Sequence, residues 1–450
     1  MKKFSKTPSK FLTLAILSFS FLSLAACSLL ETPNTVEDTL SATVAVPTPA
    51  DTPEPSVNEP AVNDSEEAAK EPSRALTVWV LPELDLDPDT PAGSILNQQL
   101  TDFDINHPEI ELKVEHKSII GQGSMIDYFS SASNVAPKIL PDLILVPHNL
   151  LPTFAADGYV YPIEALVTQN DIDDLYPVGH DLTIINSERM GYPYAIGGLT
   201  HAAYNSAVYS TTLPSRLDQV LNTPLKPAFP ASGKDGAQLL LQLYLDEGGR
   251  IYNEEGNLAF ESTPLLVGLR RIQALRANGS ISDDVGELSN HEEMWLDFKS
   301  GNSSLILTNN GRFVAELQET ADLSYGQFPG SIGGLDPMVE GWIWAVSTAD
   351  PARQALAAEL LTWMANGANM GDWTYTSQML PVRQSALERW PEDDYSSFLD
   401  TELDRATVKP ELLSSNVGNI LQGAMQDLFA TTDPPVVTIA ENAVKAINEN

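Results

Sequence analysis

Between residues 74 and 147 the sequence alternates strand, helix, strand, helix and strand, and this order restricts the possible folds more than any other feature of the chain. In "RALTVWVLP", Leu76, Val78 and Val80 alternate with Thr77, Trp79 and Leu81, a near-continuous apolar run that suits a strand buried on both faces. The segment "AGSILNQQLTDFDINHP" places Ile95, Leu96, Leu100 and Phe103 at helical spacing. "IELKVEHK" and the proline-bounded "PDLILVP" are the next strands. Parallel neighbours need crossover connections, so the order β-α-β-α-β predicts an open parallel sheet with helices on both faces. Further on, "STPLLVGLRRIQALRANGSI" and "DPARQALAAELLTWMANG" are helical, "SSLILTN" and "GWIWAVS" are strands, and the C-terminal third is mostly helical.

The 450-residue chain holds one cysteine, Cys27, at the end of an apolar run. Lys2, Lys3, Lys6 and Lys10 form a basic start, Phe11 to Leu24 an apolar core, and Ala25-Ala26 the small residues of a cleavage site, so residues 1–26 have the form of an export signal. The run is shorter than the roughly 18 residues of a membrane-spanning helix. Residues 27–74 are rich in Pro, Thr, Ser and acids and lack aromatics, a composition that predicts a disordered linker. The remaining 75–450 is long enough for two lobes rather than one core. With no thiol to spare for disulfides, those cores must be ordinary apolar ones.

The charge balance is acidic, 61 Asp and Glu against 25 Lys and Arg, for a net charge of −36. Removing the signal would take away four lysines and no acid, giving −40. Such a surface repels nucleic acid and anionic headgroups, so neither is an expected partner.

Several phrases, in order, resemble a known family. These are "LTVWV", "FDINHPEIELKVE", "PDLILVPHNLLPTFAADGYVYPIEALV", "GYPYAIGGLTHAAYNSAVY", "DFKSGNSSLILTNNGRF", "PMVEGWIWAVS" and "AAELLTWMANGANMGDWTYTSQMLPVRQSAL". Together they resemble the solute-binding proteins of ABC importers, of the sugar-type, maltose-binding-protein-like class. Leu24-Ala25-Ala26-Cys27 likewise resembles the bacterial lipobox, which implies that Cys27 is lipidated. The resemblance implies a two-lobed, periplasmic-binding-protein-like α/β fold, each lobe a mostly parallel sheet flanked by helices, with a hinge between them. Lobe 1 would comprise about 75–200 and 335–365, and lobe 2 about 201–334 and 366–450. It also implies a monomer held to the cell membrane only by its lipid, outside the cytoplasm, that binds a sugar or oligosaccharide and delivers it to permease subunits. No cofactor or metal is implied. Arg312-Phe313 after Gly311, and the glycine-rich "YAIGGLTHAAYN", depart from the family pattern at the expected cleft.

In an open α/β sheet, ligands bind beyond the carboxyl ends of the strands. The residues there are Trp79 and Glu83 with strand one, His148 after "PDLILVP", Tyr204 and Asn205 after "GLTHAA", and Asn310 and Arg312 after "SSLILT". Glu340 and Trp342 lie in "VEGWIW", and Trp373 and Arg383 in the later loop region. Flat aromatics cover the C–H faces of a sugar, while amides, carboxylates and arginine bind its hydroxyls, so the set suits a neutral carbohydrate. Trp342 and Trp344 alternate across a strand, and Trp342 is the one expected in the cleft; Asn205 could instead cap a helix.

Enzyme signatures are incomplete. "LDLDPDT" spaces Asp85, Asp87 and Asp89 like a calcium loop but has Thr90 and Leu96 where Gly and Glu are needed. "HEEMW" ends in Trp295 rather than a second His, and "GQGSM" is not a nucleophile elbow. A glycosidase would need two carboxylates aimed at one cleft, for which Glu83 and Glu340 are the available pair. The alternatives to transport are therefore a lipid-anchored carbohydrate-active enzyme and a sensory solute-binding module.

Overall fold

Strands β1 (Arg74–Val80), β2 (Ile110–His116) and β3 (Leu143–Pro147) begin the first sheet in the expected parallel pairing. Val78 stands opposite Val114 on one side and Leu143 on the other. Leu143 to Val146 are fully buried, which is why β3 reads as an unbroken apolar run. The computed structural model describes residues 74–450 apart from Glu83 and Asp85, so the expectations for the export signal, Cys27, the linker and Glu83 lie outside the described residues.

A small hairpin, β4 (Ile184–Ile185) and β5 (Glu188–Arg189), precedes β6 (Tyr192–Gly197). The chain then passes to a second sheet through β7 (Thr200–Asn205), β8 (Pro227–Ala228), β9 (Leu305–Asn309) and β10 (Leu323–Gly326). It returns along β11 (Met338–Val346), adds β12 (Leu380–Pro381) to the first sheet, and crosses again near β13 (Thr407–Val408). The first sheet runs β12-β6-β11-β3-β1-β2 with β13 on β11, and the second runs β10-β7-β9-β8. Among the named strands, the parallel pairs are β2-β1-β3, β8-β9 and β11-β13. β7 lies antiparallel to β9 and β10, and β11 antiparallel to β3 and β6.

Two separate apolar cores define the lobes. The first is built from 76–199 and 339–406, the second from 202–338 and 412–447. The segment 366–406 therefore belongs with the first core, not the second as expected from sequence. Asn366 caps the helix Gly367–Ser377, its side chain accepting from the Asn369 amide. Met370, Trp373, Leu380 and Leu403 are then buried in the first core. The glycines of the first crossing have specific reasons. Gly198 has a φ of +71°, which only glycine adopts at no steric cost. A Cβ on Gly197 would sit 2.9 Å from Cζ3 of Trp342.

One helix, Asp394–Arg405, joins the lobes beside the crossings. Asp393 and Ser396 close its capping box. On one side Leu399 and Leu403 enter the first core, and the Tyr176 hydroxyl donates to Asp400 at 2.6 Å. On the other, Tyr395 packs against both cores, with its ring 4.9 Å from those of Phe313 and Tyr325. Gln327 donates to Glu402 at 2.7 Å, and Arg405 pairs with Asp336 at 2.5 Å. His201 completes the contact. Its Nδ1 donates to the Ala202 carbonyl at 2.9 Å, so Nε2 accepts from the Tyr395 hydroxyl at 3.1 Å.

Burial pushes His201 down to about 4 from an ordinary 6.5. Between those values the unfolded chain binds a proton that the native state refuses, so this residue's stabilisation is present above pH 6.5 and is lost as the pH falls toward 4. The full effect is on the order of 3 kcal/mol. Glu402 works the other way, because burial raises its carboxyl and acidification favours the native state there. The expected result in urea titrations between pH 7 and 4 is that His201→Gln has a flatter stability profile than the native chain. Parallel profiles would contradict the buried, neutral imidazole. No helix among the described residues is long and apolar enough to cross a membrane.

Candidate functional site

The carboxyl end of β3 meets the start of β11 and the third crossing, and the side chains that follow these strand ends converge there. Pro147 stands opposite Trp342 in the antiparallel pair. A cavity of about 100 Å³ opens at this point, lined by His148, Asn149, Glu340, Trp342, Lys409 and Ser414. Trp342 is half-buried, with its ring against Gly197, whereas Trp344 is core, edge-on to Tyr194 at 5.7 Å. Glu340 is exposed and pairs with Lys409 at 2.9 Å.

His148 is a brace rather than a free ligand group. Its Nδ1 accepts from the Gly341 amide at 3.2 Å, so Nε2 carries the proton and faces the Lys409 carbonyl at 3.3 Å. Burial lowers its proton affinity despite these bonds and the nearby Glu340, which keeps the ring neutral at pH 7. Asn310 plays a similar part from the second lobe. It is buried, its Oδ1 accepts from the Leu199 amide at 3.1 Å, and its Nδ2 donates to the Gln378 carbonyl at 3.0 Å. With both ends of the amide engaged, Asn310 fastens the first crossing to the loop before β12 instead of offering itself to a solute.

Six other residues expected in the cleft are placed elsewhere. Trp79 is core, 5.3 Å from Tyr128 and 6.0 Å from Phe129, because its position on β1 faces the helix Met125–Ala132. Trp373 is core too, stacked on Tyr194 at 5.1 Å. Arg383 is consumed by Asp174 at 2.6 Å and Asp171 at 3.0 Å within the first lobe. Tyr204 and Asn205 end β7 at the side away from the crossing, roughly 13 Å along the strand from Thr200. Asn205 forms a turn, its Oδ1 accepting from the amides of Ala207 and Val208 at 2.9 and 3.3 Å. Arg312 lies between Glu292 and Glu316, each at 2.7 Å.

Sequence reasoning missed Lys409. Lys409 had one faint signal, as the only lysine between Lys299 and Lys445. His291, the first residue of "HEEMW", starts a helix (His291–Lys299) in the second lobe, 3.9 Å from Asp235. Burial lowers the His291 imidazole, with Asp235 opposing the shift. The carboxylates of Glu109 and Glu359 gather near His107, but Arg74 already bridges them at 3.0 and 2.9 Å.

A hinge of three crossings, a tryptophan face and an adjacent carboxylate–ammonium pair form a site that can hold a polar, C–H-rich solute and respond by lobe movement. Residues 112–397 match the family model described as bacterial extracellular solute-binding protein. No curated protein sequence matches the chain. Among solved structures, an extracellular solute-binding protein family 1 member from Alicyclobacillus acidocaldarius superposes with a TM-score of 0.67 at 16% identity, over 84% of this chain and 98% of that one. The sugar-binding protein MalE from Xanthomonas citri gives 0.66 at 15% identity, over 83% and 96%. The cyclic alpha-maltosyl-1,6-maltose binding protein from Arthrobacter globiformis gives 0.64 at 14%, over 84% and 99%. At these identities the likeness is one of fold.

Proposed function

Since the chain belongs to the bacterial extracellular solute-binding proteins, we propose that it is the lipid-anchored, extracytoplasmic binding component of an ABC importer, closing its two lobes on a carbohydrate and delivering it to the permease. It acts as a monomer, tethered through Cys27, and makes or breaks no bond in its cargo. The observation that carries this reading is the junction where Trp342, Glu340 and Lys409 stand beside all three crossings. A solute held there touches the elements that must bend, so its binding energy can bias the lobe equilibrium directly. The Xanthomonas and Arthrobacter neighbours, named for a sugar and for a cyclic maltosyl-maltose, support a saccharide as cargo. A cavity of about 100 Å³ is smaller than the roughly 300–1,000 Å³ of ordinary ligand sites, so the lobes must separate to admit one.

A thermal-shift screen of sugars, polyols, amino acids and polyamines tests the cargo. A ligand that binds only the folded protein, at a hundredfold excess over its dissociation constant, adds about 2.7 kcal/mol to stability. The expected hit is a saccharide recovered unaltered; a saccharide consumed on incubation would identify an enzyme, and hits confined to amino acids or polyamines would sink the sugar assignment. Trp342→Ala is expected to weaken the hit at least tenfold, about 1.4 kcal/mol, by isothermal titration. Unchanged affinity would move the site away from this junction.

A further inference from the structure

A larger cavity lies in the first lobe, at the end of the sheet opposite the junction. It measures about 870 Å³, within the range of small-molecule sites. Three loops surround it, at 133–142, 157–161 and 347–353. Its floor is built and electrically closed. Asp142, 1% exposed, accepts from the Thr77 amide at 2.9 Å, and the Arg353 guanidinium holds both of its carboxylate oxygens. Above that floor the walls differ. Asn134, Lys138, Asp157, Tyr159 and Tyr161 face this one space from two loops, and none has a side-chain hydrogen bond or ion pair among the described residues. Tyr159 is held in place by its ring, stacked on Phe129 at 5.2 Å.

We propose that this cavity is a second saccharide-binding site, separate from the lobe junction. Its chemistry selects the class. Two tyrosines supply flat ring surface together with hydroxyls, and one amide, one carboxylate and one ammonium supply donors and acceptors of both signs. The unpaired charges are Lys138 and Asp157, and Asp350 caps the helix Pro351–Ala365, so there is no excess of cations to hold an anion on a chain of net charge −36. An apolar ligand would leave these polar groups without partners. A neutral, hydroxyl-rich ligand with C–H faces satisfies both kinds of wall. A site on the rigid body of one lobe would retain a saccharide in either lobe arrangement, acting as a holding point for an oligosaccharide chain.

Hydrogen exchange of the intact protein with millimolar maltotriose, cellotriose and trehalose, tested separately, distinguishes this site from the junction. At least one sugar is expected to slow exchange severalfold in 133–142, 157–161 and 347–353. Tyr161→Ala and Lys138→Ala are each expected to weaken that protection at least tenfold in sugar concentration; two variants guard against a folding defect in either. The proposal fails if none of the three sugars protects these loops, or if protection there survives both substitutions. Protection at 197–200, 338–342 and 407–411 is read separately and bears only on the junction, so either site can fail while the other stands.

Discussion

Replacing Tyr395 by alanine is expected to cost about 3 kcal/mol of unfolding free energy and to uncouple the two lobes. The side chain is one of the few that packs against both cores, and it loses ring contacts to Phe313, Tyr325 and His201 together. Full truncation of a core aromatic costs about 3–5 kcal/mol, and partial exposure places Tyr395 at the low end. Tyr395→Phe keeps the ring and removes one donor, leaving the buried Nε2 of His201 unsatisfied, for a loss of about 1–2 kcal/mol. Urea unfolding followed by tryptophan fluorescence checks both values. The alanine variant should also show a broadened or split transition, because the remaining ties from the helix Asp394–Arg405 to the second lobe are the polar ones of Glu402 and Arg405 and the ring of Phe398. A single transition with an unchanged slope would mean that the crossings alone couple the lobes.

The second large effect is an asymmetry between two partners. Arg353→Met is expected to cost about 3–5 kcal/mol, because it strands a carboxylate that is 1% exposed with only the Thr77 amide to bond. Asp142→Asn should cost only about 1–2 kcal/mol, since the amide oxygen can still accept from Thr77, and Arg353, whose side chain is 38% exposed, can turn to water. Equal losses for the two variants would argue that the site relaxes and hydrates.

The strands and helices were legible where one local pattern decided them. β1 and β3 are covered on both faces, and the amphipathic helix Pro351–Ala365 turns one stripe inward. Lobe membership was not legible in 366–406, because β12 joins the first sheet by pairing with β6, far earlier in the sequence. Site residues were read from type and position, and types do not reveal which face they occupy. Trp342 and Trp344 alternate on one strand, so one had to face inward, and the structure buries Trp344. Arg383 resembles a ligand-binding cation until Asp171 and Asp174, more than 200 residues earlier, close around it. Asn310 has the chemistry of a sugar ligand and spends it on Leu199 and Gln378. Such non-local pairing leaves no trace in a single sequence.

The middle of the first sheet is made late. β11 lies between β3 and β6, and Ile343 pairs with Val146 across about 200 residues of intervening chain. Loop closure over such a separation is slow, so the nascent first lobe remains an incomplete sheet with an open central gap until β11 emerges. Its first half cannot harden into a finished domain ahead of the rest. That delay leaves β3 and β6 exposed to chaperones, or to other chains, until the insertion is complete.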